Sequence, residues 1–176
     1  MSVHFIYLKD GAKMMRPVLS REDYLRLRNG GNQKSNLSRI RQGEVKLKGD
    51  LVQMNYSCLP NEDGSLKGST RMSTSIGMDV DHIPAEEMLA VKERILSLKD
   101  NLGLLMLEKS ARAAGYHLVF KRKPQLSQEG NLKWASELLG VAYDKGAKDI
   151  TRVFFTTTGA EEDLIYLSDE LFEISP

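Results

Sequence analysis

Ser75-Ile76-Gly77-Met78-Asp79-Val80-Asp81-His82 reads as an apolar strand ending in two carboxylates, and Pro84-Ala85-Glu86-Glu87 behind it opens a helix. Side chains alternate faces along a strand, so Asp79 and Asp81 share one face and Val80 takes the other. Two residues at ~3.3 Å each separate the carboxylates, close enough to reach one shared site. Hard divalent cations such as Mg²⁺ or Mn²⁺ take carboxylate oxygens together with substrate phosphates, and two-metal phosphoryl transfer needs carboxylates that bridge the ions. The same pair also fits a plain strand end, with one carboxylate capping the next helix and the other solvated. Its neighbours have to decide.

Downstream, Met88, Val91, Ile95 and Leu98 recur at helical spacing. Gly103 to Leu107 and Tyr116 to Phe120 are short apolar runs on either side of Ser110-Ala111-Arg112-Ala113-Ala114-Gly115, which predicts an antiparallel hairpin that Lys121-Arg122-Lys123-Pro124 ends. A helix is expected from about Ser127 to Tyr143, then strands at Arg152 to Phe155 and Leu164 to Tyr166. Upstream, Val3 to Leu8 is a strand candidate, and Ser20-Arg21-Glu22-Asp23 starts a helix that Gly30-Gly31 stops. Leu51 to Tyr56 with the turn Asn61-Glu62-Asp63-Gly64 reads as a hairpin arm. The pattern is mixed α+β, without repeats or low-complexity segments, and is read as a single domain over residues 1–176: an N-terminal αβ and basic segment, 1–50, and a core, 51–176.

The 176 residues are 41% hydrophobic, ordinary for one globular core, and 25 Lys+Arg against 24 Asp+Glu leave a net charge of +1. Contact with nucleic acid must therefore come from local clusters. The most basic stretch holds Lys34, Arg39, Arg41, Lys46 and Lys48 with Glu44 opposing, either a solvated surface or a phosphate-tracking groove. The lone Cys58 excludes an internal disulfide and a Cys-rich zinc site and fits a reducing compartment. No stretch approaches the ~20 apolar residues of a membrane span, and Met1 to Asp10 lacks the pattern of a signal peptide, so a cytoplasmic location is expected.

Two further constellations follow the acidic strand. In Ser110 through Phe120, small residues leave backbone N–H groups open to a phosphate, Arg112 adds charge, and His117 opens the returning strand; taken singly, His117 also fits a satisfied histidine near the core. In Ala142 through Phe155, an aspartate, a short loop and Arg152 at the head of a strand offer a third carboxylate and a fixed guanidinium. Asp144 and Asp149 compete for that carboxylate role, and a polar loop after a helix end is the plainer alternative.

In this order the three stretches resemble the archaeo-eukaryotic primase superfamily, with its DxD/E, SxH-type and hydrophobic-Asp motifs. They are most similar to the primase-like N-terminal domains of helicase-primase proteins of bacterial mobile elements and phages. The resemblance covers Met78 to His82, Ser110 to Phe120 and Asp144 to Phe155, and extends from about Leu51 onward. It implies an RRM-like antiparallel sheet with flanking helices, and an active site in a cleft against the N-terminal αβ unit. It also implies template-directed nucleotidyl transfer with two divalent ions, Mg²⁺ or Mn²⁺, held by Asp79, Asp81 and Asp144. His117 would contact the incoming triphosphate, Ser110 and Arg112 would help cradle it, and Arg152 would contact phosphate or sugar. Gly115 stands where a strict SxH has serine, the loop before it is longer and less glycine-rich, and Gly159-Ala160-Glu161-Glu162 replaces the usual Asp-Pro.

The implied partners are a single-stranded DNA template, nucleoside triphosphates and a helicase in cis or in trans, since no GxxxxGK[ST] occurs. Two other classes compete: an inactive module binding nucleotide or single-stranded DNA through the 34–48 segment and Lys121-Arg122-Lys123, and a nuclease or other DxD-dependent phosphotransferase.

Overall fold

Asp10 and Gly11 both adopt left-handed backbone, φ 51° and 79°, a two-residue turn whose twist matches that of paired strands. Across it β1 (His4–Lys9) and β2 (Ala12–Pro17) pair antiparallel, from His4↔Pro17 to Lys9↔Ala12. The computed structural model describes residues 2–173. β3 (Gln53–Asn55) lies on the other edge of β1, and β7 (Phe154–Phe155) on the far edge of β3, giving the order β2-β1-β3-β7. Between β2 and β3 run α1 (Arg21–Asn29), capped by the Ser20 hydroxyl accepting from the Asp23 N–H, then α2 (Gln33–Arg41) and a 3-10 turn, Val45–Asp50.

The second sheet has the order β4-β6-β5-β8, again antiparallel throughout: β4 (Ser75–Val80), β5 (Leu104–Lys109), β6 (Tyr116–Lys121) and β8 (Leu164–Leu167). Its two faces have separate cores. Ile76, Met78, Val80, Leu118 and Phe120 pack against Ile95 of α3 (Met88–Ser97), against Leu102 of α4 (Lys99–Leu102), and against Leu132, Ala135 and Leu139 of α5 (Gln128–Leu139). Met106 and Val119 on the opposite face meet Met54, Tyr56 and Phe154 of the first sheet region and Tyr24 of α1. Alternation along β4 and β6 therefore sends every second residue into the space between the sheets, and Asp79 and His117 fall in that set.

The α+β reading holds, with two antiparallel sheets rather than one. Leu51 to Tyr56 does not form a hairpin arm: three residues of it, β3, fill the gap between β1 and β7, and the Asn61–Gly64 turn belongs to an irregular loop tied by the isolated bridges Met14↔Ser65 and Cys58↔Met72. The helix expected to Tyr143 stops at Leu139, because Gly140 takes a left-handed cap with φ 66°. The helix after Pro84 opens as a 3-10 turn, Ala85–Glu87, before α3. The strand from Arg152 shrinks to β7 and joins the first sheet. It has no place beside β4, whose outer edge is already taken: the Gly77 N–H donates to Ser57 Oγ at 3.0 Å, and the Asp144 N–H donates to the Asp79 carbonyl at 2.8 Å. Among the described residues no helix is long and apolar enough to cross a membrane.

Gly77 lies directly against the first sheet, since a Cβ there would stand 2.6 Å from Cε2 of Phe154. Gly77→Ala is expected to lower stability by about 1–3 kcal/mol through overpacking. Gly49→Ala, where a Cβ meets nothing within 4 Å, stays within about 0.5 kcal/mol of wild type. Urea unfolding with a common m-value checks both.

Candidate metal centre

β6 lies between β4 and β5, and its register sets His117 opposite Asp79 on one side and opposite Glu108 on the other. Cross-strand partners point to the same face, so the three ionisable side chains form a row in the space between the sheets. His117 Nδ1 is 3.2 Å from Glu108 Oε2, and its Nε2 is 3.7 Å from Asp79 Oδ1. The row reaches the surface where the β5–β6 loop meets the end of β4. Gly115 makes that approach possible, because a Cβ on it would stand 2.2 Å from the Val80 carbonyl oxygen. Serine, the SxH residue, does not fit there without backbone movement. The Ile83 N–H donates to the Ala114 carbonyl at 2.9 Å and stitches the acidic turn to the loop, while His82 and Ala113 take left-handed backbone at φ 56° and 60°.

The result is a cleft of about 350 Å³ lined by Asp79, Asp81, Ser110, Arg112 and His117, joined by Lys48 and His82. Asp144 completes an acidic cluster: one oxygen each from Asp79, Asp81 and Asp144 lie within 4.8 Å of one another. The backbone bond from Asp144 to Asp79 pins this third carboxylate in place. Its Oδ1 accepts from the Gly146 N–H at 2.8 Å, which together with Arg152 holds the group below the usual carboxylate range. Arg152 Nη2 lies 3.2 Å from Asp144 Oδ2 and 3.5 Å from Asp79 Oδ2. Asp149 lies outside the cluster; its Oδ1 accepts from the Thr151 N–H and hydroxyl at 2.9 and 2.8 Å and closes a turn.

Burial pushes Asp79 up to about 6, with Asp81 adding to the rise and His117 and Arg152 opposing it. Its Oδ1 is buried and has no hydrogen-bond partner among the described residues. An unpartnered buried carboxylate oxygen beside two more carboxylates fits a hard cation, which supplies the missing partner and offsets the charge. These three residues can hold a metal ion.

Comparison with protein-family models, with characterised proteins and with solved structures finds no match to this chain. The chemistry of the cleft rests on its own geometry.

The basic residues divide. Lys48 lines the cleft and sits 5.5 Å above the Phe155 ring. Arg41 donates to the Ser110 and Ala111 carbonyls and pairs with Asp163 at 2.7 Å, which makes it a strut under the β5–β6 loop. Arg39 pairs with Glu44, and Lys34 and Lys46 are exposed. Lys121, paired with Glu170, stands opposite Ser75, four positions or roughly 13 Å along the strand from the His117 row. Arg122 beside it is committed to the Ser57, Ser73 and Ser75 carbonyls and Gln128, and Lys123 covers Trp134 at 4.2 Å. The Lys121-Arg122-Lys123 cluster therefore does not converge on the acidic site.

Three contributors escaped the sequence reading. Glu108 ends the apolar run Leu104 to Leu107, and a charge at that position was the available signal. Arg28, fully buried and 2.8 Å from Glu108, looked like one more polar helix residue. His82, which directly follows the DxD, lines the cleft with no role assigned to it from the sequence.

Metal binding at this cluster is expected to follow the Asp79 proton. Since a ligating carboxylate must be ionised, affinity for Mn²⁺ is expected to be flat above about pH 6 and to weaken towards tenfold per pH unit below it, in calorimetric titrations. In the metal-free protein the sign reverses. The folded value lies above the ordinary aspartate value of 3.8, so the contribution of Asp79 to stability is present below 3.8 and lost as pH rises through about 6.

Proposed function

We propose that this chain is a divalent-metal-dependent nucleotidyltransferase of the primase-polymerase type, making or extending primers on single-stranded DNA from nucleoside triphosphates. The observation that carries this reading is the convergence of Asp79, Asp81 and Asp144 within 4.8 Å at a cleft also lined by Ser110, Arg112 and His117. All three motif stretches supply it, in the order the primase resemblance requires. On the same reading β4, β5 and β6 with α3 and α5 are the RRM-like unit, and the first sheet with α1 and α2 is the N-terminal unit. A helicase acting in cis or in trans and a cytoplasmic setting belong to the same proposal.

Asp79, Asp81 and Asp144 would hold the ions. Bound Mg²⁺ or Mn²⁺ supplies activation of a 3′-hydroxyl and neutralisation of triphosphate charge. The chain's own part is positioning. His117 presents Nε2 to the cleft, Arg112 and Lys48 bring positive charge to its rim, and Arg152 offers a guanidinium next to two of the carboxylates. Among the described residues, no backbone or side-chain acceptor is bonded to the N–H groups of Ala111, Arg112 and Ala114, so the loop keeps donors for a phosphate.

Primer synthesis and extension on single-stranded template with Mn²⁺ or Mg²⁺ test the proposal. The double substitution Asp79→Asn/Asp81→Asn is expected to cut product at least about a hundredfold and to leave urea stability within about 1 kcal/mol. Wild-type protein that binds template yet makes no product with either metal would be an inactive nucleotide- and DNA-binding module. Metal-dependent degradation of the template, lost in the double variant, would make it a nuclease.

A further inference from the structure

Glu108 is an acidic side chain with no exposed surface, lying behind the cleft instead of in it. Its Oε1 accepts three hydrogen bonds, from Arg28 Nη2 at 2.8 Å, the Thr157 N–H at 2.9 Å and the Thr157 hydroxyl at 2.8 Å. Its Oε2 faces His117 Nδ1. Arg28 in turn donates to the Thr158 carbonyl at 2.9 Å and to the Tyr24 hydroxyl at 3.2 Å, and Tyr24 shares a 2.6 Å hydrogen bond with Tyr56. The network is built from α1, the residue after β3, β5, β6 and the segment after β7, and Arg28, Glu108, Tyr24, Tyr56 and Thr157 in it are fully buried.

A buried Arg–Glu pair adds little stability over well-packed apolar side chains of similar volume, so stability alone gives no reason for this one. Orientation does. We infer that Glu108, held in place by Arg28, is the positioning residue of His117, fixing the ring with Nδ1–H turned inward and Nε2 turned to the cleft beside Asp79. An ionised carboxylate only accepts, so Nδ1 must carry a hydrogen whether the imidazole is neutral or charged, and Nε2 alone is left for the substrate. The Phe154 ring packs against His117 in a T-shaped contact with the ring centres 5.2 Å apart. Outer partners of this kind set the orientation and hydrogen-bonding nitrogen of histidines in metal and phosphate sites. That Nε2 meets a triphosphate rests on the proposed nucleotidyltransferase reading; the orientation of the ring does not.

Two measurements separate these. Long-range ¹H–¹⁵N spectra of the metal-free protein at alkaline pH, with the His117 signals assigned by loss in His117→Gln, are expected to show Nδ1 protonated and Nε2 bare. A ring protonated at Nε2 would overturn the proposal. Glu108→Gln, whose amide can turn an N–H to the ring, is expected to shift the spectrum towards the Nε2–H form and to lower nucleotidyl transfer by about 10–100-fold. Because that variant leaves Arg28 buried without its counter-charge, the double variant Arg28→Met/Glu108→Gln is measured beside it. A folded double variant with wild-type transfer and a wild-type His117 spectrum would also overturn the positioning role. If wild-type protein transfers no nucleotide, the proposed function falls, and the His117 spectrum still decides for or against Glu108.

Discussion

The register of β6 between β4 and β5 is the constraint from which the site follows. It places Asp79, His117 and Glu108 side by side, and a slip of β6 by one residue would turn His117 onto the helix-covered face and leave Asp79 and Glu108 without it. Two things forbid the slip. Tyr116, Leu118 and Phe120 are buried on that face against α3 and α5, and moving them into the space between the sheets would set them beside Tyr56 and Phe154 while exposing polar groups to the main apolar core. Gly115, at the entry to β6, is the residue small enough to pass the Val80 carbonyl. Hydrophobic alternation on one face thus determines which polar groups meet on the other.

Charges alternate along the line that this register creates. Arg28, Glu108, His117, Asp79, Arg152 and Asp144 follow one another from the buried side of α1 to the rim of the cleft. The inner end is saturated. Burial works against the charge on Glu108, yet Arg28 and the His117 hydrogen bond hold its carboxyl well below the usual range; burial likewise opposes the charge on His117, which Glu108 and Asp79 raise above the ordinary histidine value. The outer end is not saturated, because one guanidinium serves two of three clustered carboxylates and Asp79 Oδ1 is left without a donor. One line of side chains therefore has a rigid, compensated end and an end short of positive charge.

How much of this the sequence disclosed depends on the range of the interactions. The apolar strand, the DxD alternation and the β5–β6 hairpin are local patterns, and the structure reproduces them with Asp79, Asp81 and His117 on one face. β2 was missed although Asp10-Gly11 marks its turn, because Ala12 to Pro17 carries two basic side chains and little alternation. α2 was missed because its helical spacing, Leu37 to Ile40, is short and lies within a run read for charge. The choice of Asp144 over Asp149 was beyond local reading altogether. It is decided by a backbone hydrogen bond to Asp79, a residue far away in sequence, and only the folded chain contains that bond. Arg28 and Glu108 were hidden for the same reason: a buried charge looks like any other charge until its partner is found.

Asp79 also shows why folding alone does not account for the cleft. Native proteins partner nearly all buried polar atoms, and a buried carboxylate short of hydrogen bonds lowers stability whenever it is ionised. An asparagine at this position could donate to Asp81 or Asp144 and would avoid that cost. The aspartate instead stands in a place where burial raises its proton affinity, where its main-chain carbonyl fixes the third carboxylate, and where the opposite strand brings a histidine to 3.7 Å. Burial disfavours the bare anion, the carbonyl serves a neighbouring carboxylate, and His117 with Arg152 offsets only part of the clustered negative charge. Their common effect is a negatively charged pocket with fixed walls that can take compensation from outside the chain. A hard cation is the species whose size, charge and preference for oxygen match that need.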